Sequence, residues 1–254
     1  AAAVLMDVHT GEVLAMASLP DFDPNARPRP LLDGEGDQAD SPLFNRALQG
    51  VYELGSVFKT FTIAQALDLG LYGTDDLIDT TGPLRMAGFE TEDCRSYGPR
   101  QTVRHVLTHS SNIGSARIAQ AIGSDRQRDF LGRLGLLEPS PVETLEAGNA
   151  RPLLPGRWGQ LSTMTISYGH GLSTSQMHLA AAYAAIVNGG TAISPTLLRQ
   201  DSAQDGARVI SEATSARMRD MLRAVVTEGT ASFGEVAGYA VGGKTGTADL
   251  PRDT

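Results

Sequence analysis

Apolar and polar positions set out the elements before any chemistry is considered. Ala3 to Val8 and Glu12 to Ser18 have strand character on either side of His9-Thr10-Gly11, and together they predict a hairpin. Residues 20 to 44 hold Pro20, Pro24, Pro28, Pro30, Gly34, Gly36 and Pro42 among several acids, which predicts a solvated loop. Phe58, Phe61, Ile63, Ala64 and Leu67 then recur at helical spacing, so a helix opens at Ser56 and ends near Gly70. From Tyr72 to Arg100 the chain is short-stranded and turn-rich.

Helical spacing returns at Val103, Val106 and Leu107, breaks at Thr108-His109-Ser110-Ser111-Asn112, and restarts with Ile113, Ala116, Ile118, Ala119 and Ile122. Phe130 to Leu137 predicts a further short helix, followed by a loop through Pro139, Pro141, Pro152 and Pro155. Ser173-Thr174-Ser175-Gln176 are cap-like residues before the apolar run Leu179 to Val187, a buried helix too short to span a membrane. Ser211 to Thr227 reads as an amphipathic helix, and Gly238 to Ala248 as a glycine-rich strand. Strands at both chain ends with helices between them predict an α+β domain whose antiparallel sheet is made by the termini.

Composition narrows the function. The 254 residues are 41% hydrophobic and 20% charged, enough for one large domain or two lobes with a real core. A formal charge of −8 and no basic run argue against nucleic acid or an anionic membrane surface as partner. Cys94 is alone and the 5 His are scattered, so no internal disulfide, metal site or cofactor is expected. The chain opens on strand-like Ala1-Ala2-Ala3-Val4 with no signal peptide, as a piece cut from a longer protein would.

Chemistry enters at Gly55-Ser56-Val57-Phe58-Lys59. A Ser in the first turn of a helix and a Lys three residues later share one face, which sets an amine beside a hydroxyl. A serine hydroxyl needs a neighbouring base, and Lys serves as one when burial or a nearby positive charge lowers its pKa. The helix N-terminus adds positive potential that favours a later oxyanion. Of the 21 basic residues only Lys59 and Lys244 are Lys; the other 19 are Arg. Arginine serves every ordinary surface role here, so the two lysines mark positions where a side chain that can give up its proton is required.

Ser56-x-x-Lys59, Ser110-Ser111-Asn112 and Lys244-Thr245-Gly246 are weak signals singly; the middle one alone would read as a helix cap. In this order and separation they are specific to penicillin-binding proteins and serine beta-lactamases. The chain resembles the transpeptidase domain of class B penicillin-binding proteins, closest to the cell-division (septal) type. The likeness includes Asp7 to Ser18, Asp23-Pro24-Asn25, Asn45-Arg46-Ala47, Tyr52 to Ser56, Gly229-Thr230-Ala231 and Gly243 to Ala248. Leu54 stands where the wider family often has Pro, a change confined to the turn before the helix.

The resemblance implies roles residue by residue. Ser56 is the acylated nucleophile and Lys59 its base. Ser110, helped by Lys244, relays a proton to the leaving amine, while Asn112 holds the substrate amide and Lys59. Thr245 and Thr247 bind the terminal carboxylate of a peptidoglycan stem peptide ending in D-Ala-D-Ala, and the backbone N–H groups of Ser56 and Thr247 form the oxyanion hole. Gly246 is expected to leave the strand edge bare for a peptide to lie alongside. Other implied partners are beta-lactam antibiotics and division-complex proteins.

The resemblance also implies helices on both faces of the sheet and an all-helical lobe beside it, with residues 1 to 60 and 205 to 254 as the sheet lobe and 61 to 204 as the helical lobe. It further implies truncation: two more strands and a closing helix are expected after the seven residues that follow Thr247, and a pedestal domain and membrane anchor before residue 1, holding the domain at the periplasmic face of the inner membrane. Two rival functions remain. A serine beta-lactamase would hydrolyse its acyl-enzyme, but Glu146-Ala147-Gly148-Asn149 is only a faint echo of the loop that does so and reads as a surface loop. The other rival is a non-catalytic penicillin-binding sensor or scaffold, which the intact polar residues disfavour. His109 and His170 lie near motifs in sequence, but as loop histidines they read as solvated or structural.

Overall fold

In the computed structural model, which describes residues 1–248, the chain starts as the predicted hairpin. Strands β1 (Ala2–Met6) and β2 (Val13–Ser18) pair antiparallel, with Val4 opposite Met16 and a bulge between Leu5 and Met6. Asp7 closes the turn: its Oδ1 accepts from the backbone N–H groups of His9 and Thr10, both at 2.8 Å. Val4, Val13 and Met16 pack on a small core of Leu48, Val142, Ala147 and Met177. The proline-rich loop follows as expected, holding only two short 3-10 turns.

Strand β3 (Tyr52–Glu53) leads into a 3-10 turn, Gly55–Phe58, which tightens the entry to helix α1 (Lys59–Asp68). Nine of the ten residues of α1 are buried, Lys59 among them. The turn-rich excursion supplies β4 (Leu77–Asp79), β5 (Leu84–Met86), β6 (Phe89–Thr91) and β7 (Arg100–Thr102), paired β4 with β7 and β5 with β6. Helices α2 (Val103–Thr108) and α3 (Asn112–Ile122) stand either side of the predicted polar break. Ser111 caps α3, its Oγ accepting from Gly114 N–H at 2.9 Å.

Helix α4 spans Ser124–Arg133 rather than Phe130 to Leu137. Apolar residues favour the later stretch, but Gly123 and Gly135, both at positive φ, set the real limits. Helices α5 (Leu145–Asn149) and α6 (Gln160–Ile166) interrupt the stretch expected as loop, so Glu146 to Asn149 form one helical turn. Strand β8 (Ser173–Thr174) pairs with β3, and α7 (Gln176–Val187) and α8 (Glu212–Thr227) follow as predicted.

Gly238 to Ala248 corrects the strand expectation. The segment starts in a turn, with Gly238 at φ +87, and joins no ladder among the described residues, where every sheet has two strands. Its ties run to α8 instead: Gly243 N–H donates to the Leu222 carbonyl at 3.1 Å, and Arg223 Nη1 to the Val241 carbonyl at 2.8 Å. The α+β class holds, with antiparallel strand pairs around a helical body. The main core is continuous through Phe58, Phe61 and Ile63 near and in α1, Val106 and Leu107 in α2, Ile186 in α7, and Met218, Leu222 and Val225 in α8. Edge-to-face contacts of Phe61 with Phe58 and Tyr183, both 5.3 Å between centroids, fix α1 within it.

Candidate active site

The 3-10 turn before α1 carries Ser56 and the first residue of α1 is Lys59, and both meet the α2–α3 break. Lys59 Nζ lies 2.9 Å from Ser56 Oγ and 3.0 Å from Ser110 Oγ, and donates to the Ser110 carbonyl at 2.6 Å and to Asn112 Oδ1 at 2.7 Å. The last two oxygens can only accept. They therefore hold two N–H groups of the amine, and in its neutral form the lone pair remains for the Ser56 hydroxyl proton. Asn112 Nδ2 donates to the Glu92 carbonyl at 2.9 Å, which fixes the amide with its oxygen toward Lys59. Ser110 has φ +61, the left-handed region, and this turn presents both its carbonyl and its hydroxyl to the amine.

Burial, then the charge of Lys244, lowers the Lys59 pKa to about 7, with Asp93 and Cys94 opposing. Lys244 Nζ donates to Ser110 Oγ at 2.9 Å, and burial brings its own pKa down to about 8. The Ser110 hydroxyl thus lies between two amines and can pass a proton to either.

These shifts bear on stability. Both lysines titrate near 10.5 when unfolded, so the folded chain sheds protons that the unfolded chain keeps. Stability will rise with pH from about 7 for Lys59 and from about 8 for Lys244, the gain being complete above the unfolded value. Urea unfolding followed by fluorescence of Trp158, the single Trp, from pH 6.5 to 9.5 checks this; Lys59→Met should remove most of the rise.

Thr245 and Thr247 border the same cleft as Ser56, a space of about 430 Å³. Thr245 Oγ1 is 3.1 Å from Thr230 Oγ1. The expected role of Gly246 changes: a Cβ there would meet the Leu54 carbonyl and Val57, so its bareness faces the turn that carries Ser56 rather than an open edge. Gly55 (φ +60) does the same from the other side, since a Cβ on it would collide with the Thr247 carbonyl. A Cβ on Gly169 (φ +90) would strike Gly55 in turn. Three backbones therefore lie against one another, and the third belongs to the Lys244 motif.

The structure brings Ser56, Lys59, Ser110, Asn112 and Lys244 into one hydrogen-bonded network, with Thr245, Gly246 and Thr247 beside it. Sequence reasoning missed several neighbours. Asp93 accepts from Ser111 Oγ at 2.7 Å and from Ile113 N–H at 3.0 Å, bracing the start of α3. His109 and His170, expected outside the site, both line the cleft; adjacency to Ser110 and the Gly-His-Gly setting were the available signals. His170 Nδ1 lies 2.9 Å from Glu53 Oε2.

The family model for the penicillin-binding protein transpeptidase domain matches residues 1–252. The chain belongs to this family. The transpeptidase domain is 38% identical, over 98% of its length, to the Caulobacter vibrioides protein named "Probable peptidoglycan D,D-transpeptidase FtsI". It is 32% identical, over 97% of its length, to peptidoglycan D,D-transpeptidase FtsI of Escherichia coli. It spans about two fifths of these curated relatives, 41% and 40% of their lengths. The transpeptidase domain of Burkholderia pseudomallei penicillin-binding protein 3 superposes with a TM-score of 0.85 at 33% identity, covering 99% of this chain and 70% of that one.

Proposed function

We propose that this domain is the catalytic part of a serine D,D-transpeptidase that cross-links peptidoglycan stem peptides and is acylated by beta-lactams. One observation carries the reading: a buried lysine with a pKa near 7 has two N–H groups held by fixed acceptors and its remaining valence beside Ser56 Oγ. Such an amine is a general base at neutral pH. Neutral Lys59 takes the Ser56 proton as Oγ attacks the carbonyl between the two D-Ala residues. The oxyanion is held by the backbone N–H groups of Ser56 and Thr247. As the C–N bond breaks, the leaving amine takes a proton from Ser110, which is refilled from the Lys59 ammonium. The terminal carboxylate rests on Thr245 and Thr247, and Lys244 supplies positive potential. An acceptor amine then attacks the Ser56 ester by the reverse proton path.

In the same reading the hairpin β1–β2 and α8 belong to one lobe and residues 61 to 204 to the other, with the cleft between them. A peptidoglycan substrate places the domain at the periplasmic face of the inner membrane. The whole protein acts in septal wall synthesis with division-complex partners.

The test is a labelled penicillin. Intact-mass analysis followed by peptide mapping should find one adduct, on Ser56, lost in Ser56→Ala. An adduct elsewhere, or none on a folded domain, removes the nucleophile assignment. Release within seconds would make the protein a beta-lactamase.

A further inference from the structure

One wall of the cleft is built from groups that the acylation chemistry does not use. The Tyr97 ring stacks on the His109 ring, 4.0 Å between centroids and 5° from parallel, and His109 packs on His105 at 5.0 Å. The Arg95 guanidinium lies over the Tyr97 ring, 5.3 Å from its centroid. Burial and the neighbouring His105 hold the His109 pKa down, so the ring stacks uncharged at neutral pH.

Arg95 is exposed, lines the cleft with Ser56, and makes no ion pair among the described residues. Asp93, two residues away, spends its carboxylate on Ser111 and Ile113. Lys59 and Lys244 face inward onto Ser110 and do not line the open space. Arg95 is therefore the one Lys or Arg bordering the cleft among the described residues, on a chain of formal charge −8. A planar cation fixed on an aromatic support, its N–H groups unspent, matches a carboxylate.

Resting on the transpeptidase reading, we propose that Arg95, held on the Tyr97–His109 stack, is a specificity-determining residue that recognises a second carboxylate of the acyl donor, one beyond the terminal carboxylate at Thr245 and Thr247. The preferred donor is thus an anionic stem peptide. Because the stack includes His109, the residue before Ser110, the donor's charge is read beside the group that handles the leaving amine.

Benzylpenicillin and its α-carboxy derivative carbenicillin share the ring carboxylate and differ by one side-chain carboxylate. Both acylate by the same exchange, the lactam C–N bond breaking as the Ser56 ester forms. In Arg95→Gln the second-order acylation rate for carbenicillin should fall roughly tenfold, as expected for loss of one charge-assisted hydrogen bond. The benzylpenicillin rate should stay within about twofold, which also reports that the variant is folded. If both rates fall alike, Arg95 serves the shared carboxylate and the proposal is wrong. If neither changes, Arg95 reads no carboxylate. If neither compound acylates Ser56 in the unaltered domain, the transpeptidase reading falls, and this inference with it.

Discussion

Replacing Lys59 with arginine will lower the rate of Ser56 acylation by roughly 100- to 10,000-fold, the range of general-base catalysis. The guanidinium keeps the charge but does not give up its proton. Fully buried Lys59 also leaves no room for a wider group, so the fold should survive with about 1–3 kcal/mol less stability. Lys244→Arg should hurt less: Lys244 is only partly buried, and its 2.9 Å contact with Ser110 Oγ needs a donor and a charge, which a guanidinium supplies. Stopped-flow acylation by a chromogenic beta-lactam gives the order. If Lys59→Arg proves the milder change while both proteins are folded, Lys59 is not the base.

The second large effect needs no change at a polar group. Gly55→Ala will cost on the order of 100-fold in acylation, because its Cβ pushes the Thr247 carbonyl away and moves the Lys244 segment off Ser56; a displacement of about 1 Å is enough for such a loss. Backbone strain at φ +60 adds about 1–3 kcal/mol of instability. Gly70→Ala separates the two causes. Gly70 has φ +64, and a Cβ there would meet nothing within 4 Å, so this variant should lose stability and keep its acylation rate. A folded Gly55→Ala that acylates at the original rate would show that the close approach does not position the site.

The polar groups of the candidate site were legible in the sequence because each sits in a short motif. Ser56 and Lys59 share a helix face, and Ser110 and Asn112 share one turn. What surrounds them was not legible, since it comes from residues brought in by tertiary contact: Asp93 from the excursion, Gly169 from the turn after α6, and the Arg95–Tyr97–His109 layer. Apolar periodicity found α1, α7 and α8, whose buried faces are long. It misplaced α4 and missed α6, where glycine positions and polar sequence decide the limits. Gly238 to Ala248 has strand composition, but a strand also requires a neighbour to bond, a condition that composition does not record.

The unbroken core also limits how a ligand gets in. Hinge opening of the molecule would have to lift α8 from α1, α2 and α7, exposing Met218, Met221, Leu222 and Val225 at about 1.5–3 kcal/mol for each side chain. That cost is out of proportion to the binding of a small ring or a peptide end. Entry is instead left to the two segments that border the cleft without belonging to the core, residues 93–97 and 244–248. The hydrogen bonds that hold Ser56 and Lys59 are made before a ligand arrives, so entry calls for no folding step at the site.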